Sequence, residues 1–417
     1  VTLRVTVIGD DLTGTVESAA VFHRYGFGGT IGIGLRPDAR PAPGTTIWTV
    51  DTDTRQRPAL DAAERARSAI RAAPAPLLIG KIDSLLRGRL VAHLAALDPD
   101  RYPLVFAPAL PVQRRVVIGG AARDLDDGRP IGAAPLAELL APLPTAVLPE
   151  LAVPELAERI AQTAQAGRIA LCDATDDAAL DRIVAASLAL PGVRYAGSAG
   201  LIAALARRLA DTVPEPVEGQ GSMVPGTSTG SVRVQRAVLS NSVRVRRAIL
   251  FVVGTAAPTL AGQLDALTAA VAGTRVWTRP AGRAGWPERT AAEVRQHLAG
   301  DAPAVLRLPE RQLSGPTDQT ADADDAGLVA ELAALTEHVL AGIEVPLVLT
   351  GGHTARAVLD RLGVDTLRLC AEIHHGAVAL GAAGDRTVVT RPGSFGGPDS
   401  LVRILDRLSA PTRQDRP

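Results

Sequence analysis

Lysine is almost missing from this chain. Of 44 basic residues in 417, only Lys81 is a lysine and the rest are arginine. Asparagine also occurs once, at Asn241. A bias this strong reads as codon usage, so single arginines carry little meaning and the surviving lysine carries more. The two cysteines, Cys172 and Cys370, stand far apart in predicted strands. They offer neither a disulfide framework nor zinc-ligand spacing, and they fit a reducing compartment. Net charge is absent too, with 44 basic residues against 44 acidic ones. That argues against a nucleic-acid partner and against an acidic solvating tail. No apolar run of membrane-spanning length escapes a charge, Gly or Pro, so no membrane partner is expected. Residues 1–10 read as a first strand and not as a secretory leader, and a cytoplasmic location is the expectation.

What is present is a globular composition, 47% apolar and 21% charged. Strands and helices alternate from the start. Residues 3–9, 30–34, 46–50, 76–80, 104–107, 168–173 and 193–197 read as strands. Residues 13–25, 58–72, 87–97 and 199–210 read as helices. Such alternation predicts an α/β fold with a largely parallel sheet and helices on both faces. Residues 213–230 are rich in Pro, Gly, Ser and Thr and read as a linker. A local duplication follows: SVRVQRAVL from Ser231 recurs as SVRVRRAIL from Ser242. The second copy leads into a strand at 248–253, and the first is spare. Strand, glycine turn and helix then begin again. The expected division is residues 1–212, a linker at 213–247 that is expected to be mobile, and 248–417. Two α/β domains joined this way hold a ligand in the cleft between them.

Several constellations sit at predicted strand ends, where open α/β sheets bind ligands. The first is Gly9-Asp10-Asp11-Leu12-Thr13-Gly14. Adjacent acids there bind a sugar hydroxyl, hold magnesium or accept a proton; the plain alternative is that Asp11 or Thr13 caps the next helix. A second cluster ends in Arg55, whose guanidinium can fork onto a carboxylate. A third is Lys81-Ile82-Asp83-Ser84-Leu85-Leu86-Arg87-Gly88. It joins the one lysine to an acid, a hydroxyl and an arginine, a set that binds an oxyanion and neighbouring hydroxyls. A proline-rich turn at 106–111 precedes Arg114-Arg115 and can fix a basic residue over the same cleft. In the second half, glycine turns occur at Gly254-Thr255, at Gly351-Gly352-His353-Thr354 and at Gly393-Ser394-Phe395-Gly396. Backbone N–H groups at such helix starts hold phosphate. None has the spacing of a P-loop or of a dinucleotide fingerprint, which makes a nicotinamide dehydrogenase the remote alternative.

Taken together the set resembles the four-carbon acid sugar kinase family. Asp10 to Gly14 is similar to its D-D-[FL]-T-G opening, Lys81 to Gly88 to its K-x-D-S-x-x-R-G motif, and Gly197 to Leu201 to its G-S-A-G-L segment. The three glycine turns resemble its nucleotide-domain turns. The resemblance implies a sugar-acid domain followed by an ATP domain, with ATP and Mg2+ as cofactors and the active site between them. It places Asp10, Asp11, Arg55 and Lys81 to Ser84, with Asp83 among them, on the substrate. It places Thr255, Gly351, Gly352, His353, Thr354, Gly393 and Gly396 on ATP. The chemistry expected beside it adds Arg87 and Arg115 to the substrate contacts as neutralising charges. It gives Asp11 or Asp83 the acceptor hydroxyl, so that Asp11, Lys81 and Asp83 are the expected catalytic residues. No metal ligand is assigned.

The K-x-D-S form resembles the threonate and erythronate branch more than the 3-oxo-tetronate branch. Epimers differ by one hydroxyl position, so D-threonate and D-erythronate both stay open. The chain departs from the family pattern at His353, where an acid is usual, at Arg391, where lysine is usual, at Arg114-Arg115 and around Glu372. The His353 departure keeps a second class in view, a degenerate, non-catalytic sugar-acid-binding protein. A homo-oligomer is compatible with the sequence, which sets no oligomeric state.

Overall fold

The computed structural model describes residues 4–34, 40–211, 247–254, 257, 259–280, 285–309, 319–393 and 395–410. The linker and both copies of the duplicated segment, apart from Arg247 to Leu250, lie outside the described residues, as do Thr255 and Ser394.

The first half contributes strands β1 (Val5–Gly9), β2 (Gly29–Ile33), β3 (Ile47–Asp51), β4 (Leu77–Lys81), β5 (Leu104–Ala107), β6 (Arg115–Ile118), β7 (Ala121–Asp124), β8 (Thr145–Leu148), β9 (Ile169–Cys172) and β10 (Arg194–Gly197). Its helices are α1 (Leu12–Arg24), α2 (Ala59–Ala72), α3 (Leu90–Ala96), α4 (Leu136–Leu139), α5 (Val153–Gln165), α6 (Asp177–Ser187) and α7 (Ala199–Ala210). The second half adds β11 (Leu250–Val253), β12 (Arg275–Thr278), β13 (Ala304–Arg307), β14 (Leu347–Thr350), β15 (Thr366–His374), β16 (Ala377–Gly381) and β17 (Thr387–Arg391). Around them lie α8 (Leu260–Ala270), α9 (Thr290–Ala299), α10 (Gln319–Leu340), α11 (Gly352–Arg361) and α12 (Ser400–Ser409). Among the described residues no helix is long and apolar enough to cross a membrane.

The expected α/β alternation is present, but the two halves share one sheet. Fifteen strands run in the order β12-β13-β11-β14-β17-β16-β15-β2-β3-β1-β4-β10-β5-β9-β8. The seam is an antiparallel pairing of β15 with β2, Leu367 opposite Ile31. β6 and β7 pair antiparallel in a separate two-stranded sheet. Within each half's part of the large sheet the strands are mainly parallel, and the exceptions are the antiparallel steps β15–β16 and β16–β17. These reversals would put the carboxyl ends of β14 and β1 on opposite edges of a flat sheet. Real sheets twist by roughly 20–25° per neighbouring pair. Six steps separate β14 from β1, so about 120–150° accumulates and swings the two sets of strand ends towards one cleft.

Helix α1 makes the joint. Val21 and Phe22 pack in the core of the first half, while Leu12, Val16, Ala19 and Ala20 pack with Leu349, Leu369 and Val378 of the second. A helix apolar on nearly every side is buried by both bodies it separates. Two ion pairs cross the same joint. Arg356 Nη1 of α11 meets Asp51 Oδ2 of β3 at 2.6 Å, and Arg24 Nε of α1 meets Glu372 Oε2 of β15 at 2.8 Å.

Candidate active site

β1 ends at Gly9 and α1 starts at Leu12, leaving Asp10 and Asp11 in the turn. Asp11 caps α1: its Oδ1 accepts from Gly14 N at 3.0 Å and its Oδ2 from Thr13 Oγ1 at 2.7 Å. The fork expected of Arg55 is there, but it closes on the chain's own acids. Nε and Nη2 bind the two oxygens of Asp10 at 2.9 and 2.8 Å, and Nη1 and Nη2 bind those of Asp11 at 2.7 and 2.8 Å. A carboxylate offers about four acceptor positions, so the Asp11 carboxylate is saturated. Gly88 explains the glycine of its motif. It has φ +96, and a Cβ there would stand 3.0 Å from Asp10 Oδ2 and 3.2 Å from Arg55 Cγ.

Lys81 closes β4 between Gly9 of β1 and Gly197 of β10 in register. It is buried, with Nζ 3.0 Å from Ile82 O and 3.4 Å from Glu17 Oε2. The helix predicted from residue 87 begins at Leu90, so Asp83 to Gly88 form a loop over the strand end. Arg87 Nη2 donates to Asp83 Oδ1 at 3.1 Å and Nε donates to Oδ2. Burial pushes the Asp83 carboxyl up, but the Arg87 hydrogen bond and the charges of Arg55 and Arg87 outweigh it and hold it below the ordinary range. Asp83 is therefore ionised at neutral pH.

Strands β6 and β7 form a hairpin whose turn, Gly119-Gly120, has φ of +59 and +71. Two consecutive positive φ values suit a tight hairpin turn, and Asp173 accepts from both glycine N–H groups. The hairpin delivers Arg115, whose Nη1 donates to Ser84 Oγ. The Gly197–Leu201 segment is structural: Ser198 caps α7 and donates to Ala109 O, behind that hairpin.

The second half packs against this arrangement. Gly351, with φ +100, precedes α11. A Cβ on Gly352 would lie 3.3 Å from Thr13, so the starts of α11 and α1 meet at the joint. Thr354 is buried behind Gly254, where a Cβ would fall on its hydroxyl. His353 is exposed in the first turn of α11. Gly393 and Gly396 lie in the turn after β17, and Gly396, with φ +89, fits closely against Ser400 of α12. Thr255 lies outside the described residues.

A cleft of about 820 Å³, counting its open mouth, lies between the two halves, and the expected nucleotide residues Gly351, Gly352, His353, Thr354, Gly393 and Gly396 do not border it. Asp11, Arg55, Lys81, Asp83, Ser84, Arg87 and Arg115 all border it, facing Thr390, Arg391 and Phe395. Asp10 sits behind them, bordering a smaller cavity with His93. Five cationic side chains and three carboxylates line the main cleft. The excess positive charge favours an anionic ligand.

Glu17 is one of those three carboxylates, and sequence reasoning passed over it. It lies four residues after Thr13 on one helix, a spacing that shares a face. The β6–β7 hairpin was missed as well, although Gly-Gly between short apolar runs signals a hairpin.

Fold and site together define a two-part α/β protein with a cationic cleft between its halves. A sugar-binding N-terminal domain model matches residues 5–205, and a nucleotide-binding C-terminal domain model matches residues 250–401. A D-threonate kinase of Bordetella bronchiseptica is 31% identical, covering 96% of each chain. A 3-oxo-tetronate kinase of Methylobacterium radiotolerans is 28% identical over 96% of this chain and 98% of its own. A crystal structure described as a putative tRNA synthase from Salmonella typhimurium shares the fold, with a TM-score of 0.73, 20% identity, and coverage of 97% of this chain and 99% of that one. The chain belongs to the four-carbon acid sugar kinase family.

Proposed function

We propose that the chain transfers the terminal phosphoryl group of ATP to the terminal, 4-hydroxyl of a four-carbon sugar acid, D-threonate before D-erythronate. One observation carries this: a single cleft has Lys81, Arg55, Arg87 and Arg115 on the wall from the first half and Thr390, Arg391 and Phe395, at the end of β17 and in the turn after it, on the wall from the second. Phosphoryl transfer demands positioning and charge stabilisation more than covalent help. Lys81, Arg87 and Arg115 neutralise the carboxylate of the acid and the charge developing on the phosphoryl group. Asp11, being saturated, acts as the keystone that holds Arg55 and the start of α1. Asp83 and Glu17 keep acceptor positions open and orient the acceptor hydroxyl. The start of α11 and the glycines around 393–396 serve the nucleotide.

Among the described residues no three His, Cys, Asp or Glu side chains gather as a metal site. Magnesium in such chemistry needs only one or two carboxylates beside phosphate oxygens. Glu17 and Asp83 fit that demand and would hold it, and its charge would screen the phosphates.

The name of the Bordetella relative favours D-threonate, and that of the Methylobacterium relative makes 3-oxo-tetronate the second candidate. An ADP-release screen over four-carbon acids tests the assignment. ADP release with D-threonate or D-erythronate supports it. Release only with 3-oxo-tetronate shifts the substrate. Binding of an acid without ADP release makes the chain a non-catalytic binder.

A further inference from the structure

Arg391 ends β17 and is completely buried. A buried charge is costly unless paired, and arginine is usually paired with a carboxylate. No carboxylate among the described residues reaches Arg391. Its Nη1 donates to Gln263 Oε1 at 2.8 Å, its Nη2 donates to Phe395 O, and its Nε has no partner. Its register neighbour on β14 is Thr350, also fully buried, whose Oγ1 has no partner either. Register neighbours on adjacent strands project to the same face, so both open polar atoms share the layer of Gln263 on α8. Gln263 ties this layer to the following turn, its Nε2 donating to Gly396 O at 2.9 Å. Burial alone lowers the guanidinium, to about 10, with no acid to raise it again. It therefore stays charged at neutral pH, on the cleft wall that faces Lys81.

We propose that Arg391 is a nucleotide-anchoring residue whose counter-ion is the phosphate chain, with the Thr350 hydroxyl as a second donor and Gln263 as the positioning residue. This rests on the kinase assignment above. It makes the buried guanidinium, and not the exposed His353, the residue on which polyphosphate recognition in the second half depends. The group left without a counter-ion in the chain itself is the one the ligand completes.

Calorimetry tests it on the full-length chain with three probes: ADP, inorganic tripolyphosphate and D-threonate. Removing a charge-assisted hydrogen bond from a buried site is costly, so Arg391→Gln is expected to weaken ADP and tripolyphosphate by about 10–100-fold. D-Threonate affinity stays unchanged, and Arg391→Lys recovers most of the loss. Thr350→Val, which removes only a hydroxyl, weakens ADP by about 3–10-fold. If Arg391→Gln does not fold, Thr350→Val and Arg391→Lys decide: wild-type ADP affinity in Thr350→Val together with a full loss in a folded Arg391→Lys overturns the proposal. It is overturned as well if Arg391→Gln weakens D-threonate and spares ADP, since the counter-ion is then the sugar-acid carboxylate. Unchanged affinity for all probes in a folded Arg391→Gln also overturns it, and leaves the kinase assignment standing. Failure of the wild-type chain to bind ADP or tripolyphosphate strikes the kinase assignment itself.

Discussion

The ammonium of Lys81 occupies the space that a side chain on Gly14 would need. A Cβ built on Gly14 lies 2.9 Å from Lys81 Nζ and 2.8 Å from Asp11 Oδ1. The glycine of the first motif thus makes room for the lysine of the third. Gly14→Ala is expected to displace both groups and lower kcat/KM by about 100-fold, since small misplacements in a positioned site cost that much. Thermal melting should shift little. Steady-state kinetics beside a melting curve checks this, and a variant with unchanged kcat/KM contradicts the packing argument.

Lys81 itself should tolerate no replacement. A positioned charge on a transferring group is worth about 10²–10³ in turnover, so Lys81→Ala should lose that much. Lys81→Arg should not rescue it, because a planar guanidinium does not replace a compact ammonium in a buried slot between Gly14 and Glu17. Near-normal turnover in the arginine variant would show that only net charge matters there.

Gly88 holds a backbone shape that only glycine takes easily, against the Asp10–Arg55 pair. Gly88→Ala is expected to cost about 1–3 kcal/mol of stability and to raise the KM for the sugar acid. Urea denaturation read beside kinetics is the check, with an unchanged midpoint as the contrary outcome.

Asp51 gives the joint between the halves a pH dependence. Burial, only partly offset by Arg356, pushes its carboxyl up from 3.8 to about 7. Between those values the folded chain keeps a proton that the unfolded chain releases. Stability is therefore highest below this window and falls as pH rises through it. Asp51→Asn should flatten that part of the stability profile, measured as urea midpoints across the window. An identical slope in the variant contradicts the assignment of the titration to Asp51.

The strand-end positions of Asp10, Asp11, Lys81 and Asp83 were legible because short apolar runs ending in glycine or acids announce themselves locally. That Arg55 closes on Asp10 and Asp11 was not, since the pairing spans more than forty residues and a codon bias hides one arginine among many. The joining of both halves into one sheet was also illegible. The β2–β15 pairing depends on contacts between residues over three hundred apart, and alternation of strand and helix says nothing about sheet edges. Arg391 drew notice in the sequence only as a departure from the family pattern, because burial without a partner is a property of packing.

The most direct test follows the phosphoryl group itself. ATP carrying heavy oxygen in its terminal phosphoryl group is incubated with D-threonate and the wild-type chain, and the products are read by mass spectrometry. The prediction is heavy phosphate on the terminal hydroxyl of the acid, formed about 10²–10³-fold more slowly in Lys81→Ala and strongly reduced in Asp11→Asn while both variants stay folded. Label recovered only as inorganic phosphate, or transferred equally well by both variants, contradicts the account.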